Sequence, residues 1–265
     1  MTIIKTTIAS VFLFMGLLAC QADKKQQQNK VITELNQNKS KSIALSKQLI
    51  THVMAAEPTS ETEEKLQKLD FDRILTELNT DLKKKVFWIN IYNAYIQLIL
   101  QEDDASYEDK SSFFSKKQIL IARVKFSFDD IEHGIIRGTK FKYGLGYVDN
   151  PFSDEKIKKL QCDEIDERIH FALNCGAVSC PPVKTYTLEN FETEMDASTK
   201  SFLKTETTFL EVENKVITTR LFQWYQGDFE LNVVDYLKKY DVIPQWVEPK
   251  VEYSEYNWEK RLIRN

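Results

Sequence analysis

The chain has 265 residues, 42% of them hydrophobic, a formal net charge of −4, and only seven glycines and six prolines. That is apolar material for one sizeable core, so one globular domain with a helical N-terminal extension is expected. Scarce glycine and proline argue against disorder and against a turn-rich repetitive β fold; the absence of a basic stripe or paired zinc-knuckle cysteines argues against a nucleic-acid partner.

The first segment, MTIIKTTIASVFLFMGLLAC, runs from one lysine through an apolar stretch to Leu-Leu-Ala-Cys. This is the layout of a signal peptide and too short for a convincing membrane span. With Ala19 before Cys20, the ending resembles a bacterial lipobox. The resemblance implies that residues 1–19 are removed, that Cys20 carries lipid as a membrane anchor, and that 20–30 are anchor and polar tether. Gln21 in place of aspartate favours the outer membrane, so the expected location is the cell envelope. No later stretch reaches the roughly 18 apolar residues that a bilayer span needs. Disulfides are permitted outside the cytoplasm. With Cys20 lipidated, Cys162, Cys175 and Cys180 remain, an odd number that allows at most one internal disulfide.

Residues 31–69 read as an N-terminal helical segment, with Leu45, Leu49, His52 and Val53 on one face of a helix ending near 56. EPTSETEEK breaks that pattern, and a second helical segment is predicted over 62–80. Then comes VFWINIYNAYIQLILQ, residues 86–101, with no charge at all. Phe87, Ile91, Tyr95 and Leu98 form one helical stripe; Asn90, Asn93, Gln97 and Gln101 form another. A solvent face would carry Lys and Glu, so an amide-only stripe predicts a helix buried on most sides. Its amides either tie down loops or take part in binding, since unpaired buried amides are costly.

In KFSFDDIEHGIIRG, Ser127 and Asp130 fit a capping box, and a short helix follows over about 128–137. Asp129, His133 and Arg137 are four apart on it and share a polar face. Residues 141–152 form a loop, and a short helix covers 153–160. RIHFALN, 168–174, alternates apolar and polar residues and reads as a strand entering a cysteine-bracketed turn. A helix is predicted over 187–204 with Thr187 as its cap, then a β-hairpin around Glu213-Asn214, two short helices and a last extended piece. The order predicts an α+β fold: one globular domain over 70–265, with a central buried helix packed against a small, mostly antiparallel sheet.

FWINIYNAYIQ, FSFDDIEHGIIR, RIHFALNCGAVSCPP, FQWYQGDF and YNW together resemble the domain of unknown function 547 family, in a bacterial lipoprotein member, over roughly residues 70–260. Asn257 departs from the aspartate expected in YNW. A looser analogy runs to papain-like and transglutaminase-like thiol folds. There the nucleophilic cysteine begins a helix, whereas the central helix here carries none.

A thiol nucleophile needs a base within hydrogen-bond reach and a group that orients it. On an extended strand, His170 and Cys175 would stand roughly 16 Å apart. Cys175 could serve only if the chain folds back or His133 comes from elsewhere; His170 with Cys180 is an easier pair. Cys175 and Cys180 bracket a four-residue turn containing Gly176, which also suits a disulfide. Cys162, amid acids, is a poor nucleophile. His133, His170, Cys175 and Cys180 show no metal-ligand spacing, and no cofactor is called for.

The expected function is therefore a thiol-dependent hydrolase or acyl/amide transferase acting on peptide or cell-envelope amide bonds. Cys175 would be nucleophile, and His170 or His133 the base. Asn90, Asn93, Asn174, Arg137 and Cys180 would be binding or positioning groups. The alternative is a non-catalytic envelope lipoprotein that binds a ligand or partner, with a Cys175–Cys180 clip.

Overall fold

The computed structural model describes residues 40–103 and 105–263. Cys20, with the signal, anchor and tether assigned to 1–30, lies outside them.

The charge-free run is the middle of helix α4 (Asp81–Glu102), which Thr80 starts by accepting a hydrogen bond from the Lys83 N–H. Val86 through Ile91 are all fully buried, so no face of that stretch meets water. Three earlier helices, α1 (Lys41–Met54), α2 (Ser60–Gln67) and α3 (Phe71–Glu77), share one apolar cluster with it. The segment over 31–69 is thus no separate extension where it is described. The helix predicted over 62–80 is two helices, because Asp70 caps a new one by accepting from the Arg73 N–H.

A 3₁₀ turn (Ala105–Glu108) and α5 (Lys110–Ser115) lead to a two-stranded antiparallel sheet, β1 (Ile119–Ile121) and β2 (Val124–Phe126), with Ile119 opposite Phe126. After the capping box comes a π-helix (Asp130–Ile136) and then α6 (Glu155–Leu160). Helix α7 spans Phe191–Glu206. It starts later than Thr187, which instead closes a preceding turn through reciprocal bonds with Asn190.

The predicted hairpin is β3 (Thr208–Leu210) with β4 (Lys215–Thr218), turned at Asn214 in the left-handed region that Asn tolerates. The tail supplies β5 (Lys250–Tyr253), which pairs in parallel with β4. Between β4 and β5 lie α8 (Leu221–Trp224), a 3₁₀ turn (Gln226–Asp228) and α9 (Val233–Lys239). The fold is α+β, with helices dominant and two small sheets, mostly antiparallel.

One expectation fails. Residues 168–174 are not a strand: Glu167–Phe171 form a 3₁₀ turn, capped by Asp166, which accepts from the Arg168 N–H. The segment runs through a seam between two apolar clusters, Ile169 facing one and Phe171 the other, and His170 is buried as well. With both sides enclosed, apolar–polar alternation marks no solvent face and loses its meaning as a strand signal.

Candidate functional site

The capping box is made as expected: the Ser127 N–H donates to Asp130 at 2.7 Å, and the Asp130 N–H to Ser127 Oγ at 3.0 Å. The turn beyond it widens to i→i+5 bonding, Arg137 N–H to Glu132 O at 2.9 Å and Thr139 N–H to Gly134 O at 2.8 Å. Such π segments recur at functional sites. This one buries Ile131, Ile135 and Ile136 in the core and leaves Glu132 and His133 lining a cavity of about 110 Å³.

Arg137 is wholly buried, not a surface cation. Its Nε and Nη2 donate to the two oxygens of Asp228, at 2.6 and 3.0 Å, and its Nη1 lies 2.8 Å from His133 Nδ1. His170 Nε2 lies 2.8 Å from Asp228 Oδ2. Burial opposes ionisation of Asp228, but the bonds from His170 and Arg137 outweigh it and hold the carboxyl well below the usual range. Burial lowers the pKa of both imidazoles, with Arg137 adding to the effect, so both are neutral at pH 7.

These facts fix the protons. A guanidinium only donates, so His133 Nδ1 accepts and its Nε2 carries hydrogen. An ionised carboxylate only accepts, so His170 Nε2 carries hydrogen and its Nδ1 is a lone pair. Both histidines therefore hold the Nε2–H tautomer but are anchored through opposite nitrogens, His133 through Nδ1 on Arg137 and His170 through Nε2 on Asp228, so His133 is left with an N–H and His170 with a lone pair. His133 Nε2 is 3.6 Å from Asp129 Oδ1, beyond a good hydrogen bond, and Lys142 holds that carboxylate through both oxygens at 2.9 Å.

Tyr225 stacks on His170, ring centres 3.9 Å apart, and its hydroxyl donates to Glu132 at 2.8 Å. Tyr92 from α4 donates to the other Glu132 oxygen at 3.2 Å. Burial opposes Glu132 ionisation as well, but the neighbouring His133 and Arg137, the latter permanently charged, and the Tyr225 hydroxyl outweigh it and hold its carboxyl below the ordinary value, so Glu132 is an anion. Both tyrosines, pushed up by burial and by Glu132, stay protonated. Asp228 is positioned by two glycines that let the 141–152 loop touch it. A Cβ on Gly146, at φ +89°, would fall 2.8 Å from the Asp228 nitrogen, and the Gly227 N–H reaches Leu145 O at 2.7 Å.

Cys175 lines the same cavity as His170 and His133, but its sulfur is bonded to Cys180. As a disulfide it has no thiol to attack with, so Cys175 is not a nucleophile in this state. The group beside both sulfurs is the Tyr256 hydroxyl, at 3.1 and 3.3 Å, not an imidazole. Cys162 is the free cysteine among the described residues; burial, and then Asp81, push its thiol up to about 12.

Asn90 and Asn93 do not line the cavity. Asn90 grips Tyr186 through its backbone, accepting from N–H at 3.0 Å and donating to O at 2.8 Å. Asn93 donates to Ala172 O at 2.9 Å and accepts from Asn174 N–H at 2.8 Å. Asn174 in turn donates to Pro181 O and accepts from Gly176 N–H, and Gln97 continues the row. The amide stripe ties down loops. Gln101 does not belong to it and is exposed. Among the described residues no group of three or more His, Cys, Asp or Glu side chains is placed to hold a metal ion.

Residues 75–203 match the family described as Protein of unknown function, DUF547. The match covers the π segment, His170 and both disulfide cysteines, whereas Tyr225, Asp228 and Tyr256 lie beyond it. No curated protein and no solved structure matches the chain. The sequence reading missed Glu132, Asp228, Tyr225 and Tyr256. Glu132 adjoined a residue already singled out, and Tyr225 and Asp228 sit in the FQWYQGDF signature, but only tertiary pairing across the chain assigns their partners.

Proposed function

We propose that the cavity is a hydrolytic centre acting on amide or ester carbonyls. His170 is general base on a water molecule, and His133 donates to the oxygen that gains charge. The observation that carries this is the opposite anchoring of two like tautomers: His170, held through Nε2, has its lone pair free, and His133, held through Nδ1, has its N–H free, in a single cavity. Asp228 orients the base as the third member of a triad does. Trp224, Tyr256 and Trp258 supply an apolar wall for the acyl part. A thiol-dependent route would first require reduction of the disulfide. The peptide or envelope amide remains the proposed substrate class, and the lipobox-like ending supports an outer-membrane lipoprotein anchored through Cys20.

A second reading, a non-catalytic ligand-binding lipoprotein, draws on the closed Cys175–Cys180 clip. The test is turnover of p-nitrophenyl acetate and of peptidoglycan-derived muropeptides by the oxidised protein, with His170→Asn and His133→Gln. His170 acts only when neutral, so activity should persist below pH 6.5, its ordinary value, and fall at lower pH. His170→Asn should lose about 10²–10⁴-fold in rate. Full activity of that variant refutes the hydrolytic centre; muropeptide binding without turnover supports the second reading.

A further inference from the structure

The Cys175–Cys180 disulfide is chemically lopsided. Cys180 Sγ faces three donors: the Cys175 N–H at 3.0 Å, the Ala177 N–H at 3.3 Å and the Tyr256 hydroxyl at 3.3 Å. It is buried, 7% exposed. Cys175 Sγ meets Tyr256 alone and stands half-buried in the cavity wall. Converging backbone N–H groups stabilise an anion, here a thiolate. Burial raises the Tyr256 pKa, so its hydroxyl keeps the proton it donates.

The loop holds this arrangement from several sides. Gly176 takes φ +84°, and Tyr107 donates to Cys175 O at 2.8 Å. The tail lies along the loop, with Val178 N–H on Glu259 O and Arg261 N–H on Gly176 O. Asn257 joins that contact by donating its N–H to Ser179 Oγ at 3.0 Å.

We propose that this disulfide is an exchange site for low-molecular-weight thiols entering through the cavity, with Cys175 as the sulfur attacked and Cys180 as the leaving thiolate. An incoming thiolate forms a bond to Cys175 Sγ, the Cys175–Cys180 bond breaks, and its electron pair leaves on Cys180 Sγ. The products are a mixed disulfide on Cys175 and a thiolate at Cys180. A second thiolate can then attack the mixed disulfide, releasing the small disulfide and leaving both cysteines reduced. Exchange is faster when the leaving thiol is the more acidic and the attacked sulfur the more accessible, and both conditions select the same direction here. The cavity, about 110 Å³, has room for a small aliphatic thiol. The proposal does not depend on hydrolysis in the same cavity, and it reverses the roles that the sequence suggested for the two cysteines.

The test uses the whole oxidised protein with 2-mercaptoethanol as probe, acid quenching, alkylation with N-ethylmaleimide and peptide mapping. The expected result is a mixed disulfide on Cys175 and alkylation on Cys180, with buried Cys162 unreacted. An adduct on Cys180, or no exchange without denaturant, overturns the proposal. Tyr256→Phe keeps the ring against Trp224 and Trp258, at 5.0 and 4.7 Å, but removes one donor. It should slow exchange about fivefold and raise the alkylation midpoints of both reduced cysteines, with Cys180 still the lower because its two N–H donors remain; an unchanged rate, or Cys175 ionising below Cys180, overturns the leaving-group assignment. Should that variant misfold, alkylation of the reduced wild type against pH decides alone: Cys180 must ionise below Cys175, and the reverse order is fatal.

Discussion

Replacing Arg137 with methionine tests the centre of the site. The side chain is wholly buried and donates two bonds to Asp228 and one to His133, and methionine fills much of the same volume without charge. Removing one partner of a buried ion pair costs about 3–5 kcal/mol, because the other is left uncompensated. The described body has over 200 residues, so the melting temperature should fall by about 6–20 °C.

The pH dependence sharpens the prediction. Both wild-type histidines are held below their ordinary value of 6.5, so from that value down to their folded midpoints the unfolded chain binds more protons. Wild-type stability therefore rises with pH through that window. In the variant, protonated His170 becomes the only cation bonded to Asp228 and the opposing charge of Arg137 is gone, so its folded pKa rises from the wild-type position. The variant therefore loses less stability than wild type as pH falls through that window. The gap between wild type and variant should then be smaller at about pH 5 than at about pH 8. Urea unfolding followed by tryptophan fluorescence measures it. A gap under about 1 kcal/mol, or one that widens in acid, would refute the assigned role of Arg137.

Asn93→Ala should destabilise the fold by about 2–5 kcal/mol, since it strands the Asn174 N–H and the Ala172 carbonyl in a buried setting; denaturant titration showing no loss would mean that these groups find other partners. Cys20→Ala should abolish palmitate labelling in cells and move the chain to the soluble fraction, whereas persistent labelling would count against lipidation at Cys20.

Much of the scaffold could be read from local signals. A sixteen-residue run without charge has few homes other than a buried helix, and the row Asn90, Asn93, Gln97 announced that its polar groups had buried partners. The capping box and the hairpin turn are short-range chemistry and came out as spacing suggested. The 3₁₀ turn at Glu167–Phe171 was hidden because period-two alternation informs only when one face is wet, and neither is. The wiring of the site was hidden for another reason. The spacing of four at Asp129, His133 and Arg137 suggested a shared polar face, but the anion that Arg137 serves is Asp228, 91 residues away. Pattern within a window cannot name a partner at that distance.

The cavity walls come from α4, the π segment, the 3₁₀ turn at His170, the 225–228 turn and the tail carrying Tyr256 and Trp258. Helices close local contacts early in folding, whereas pairings between distant stretches wait for long loops to close. The helical body can therefore collapse before Asp228 meets Arg137 and before Tyr256 reaches the disulfide. A refolding chain should pass through a compact species, rich in helix, in which His133 and His170 are not yet coupled. The chemistry of the cavity would then appear only with the last and slowest kinetic phase.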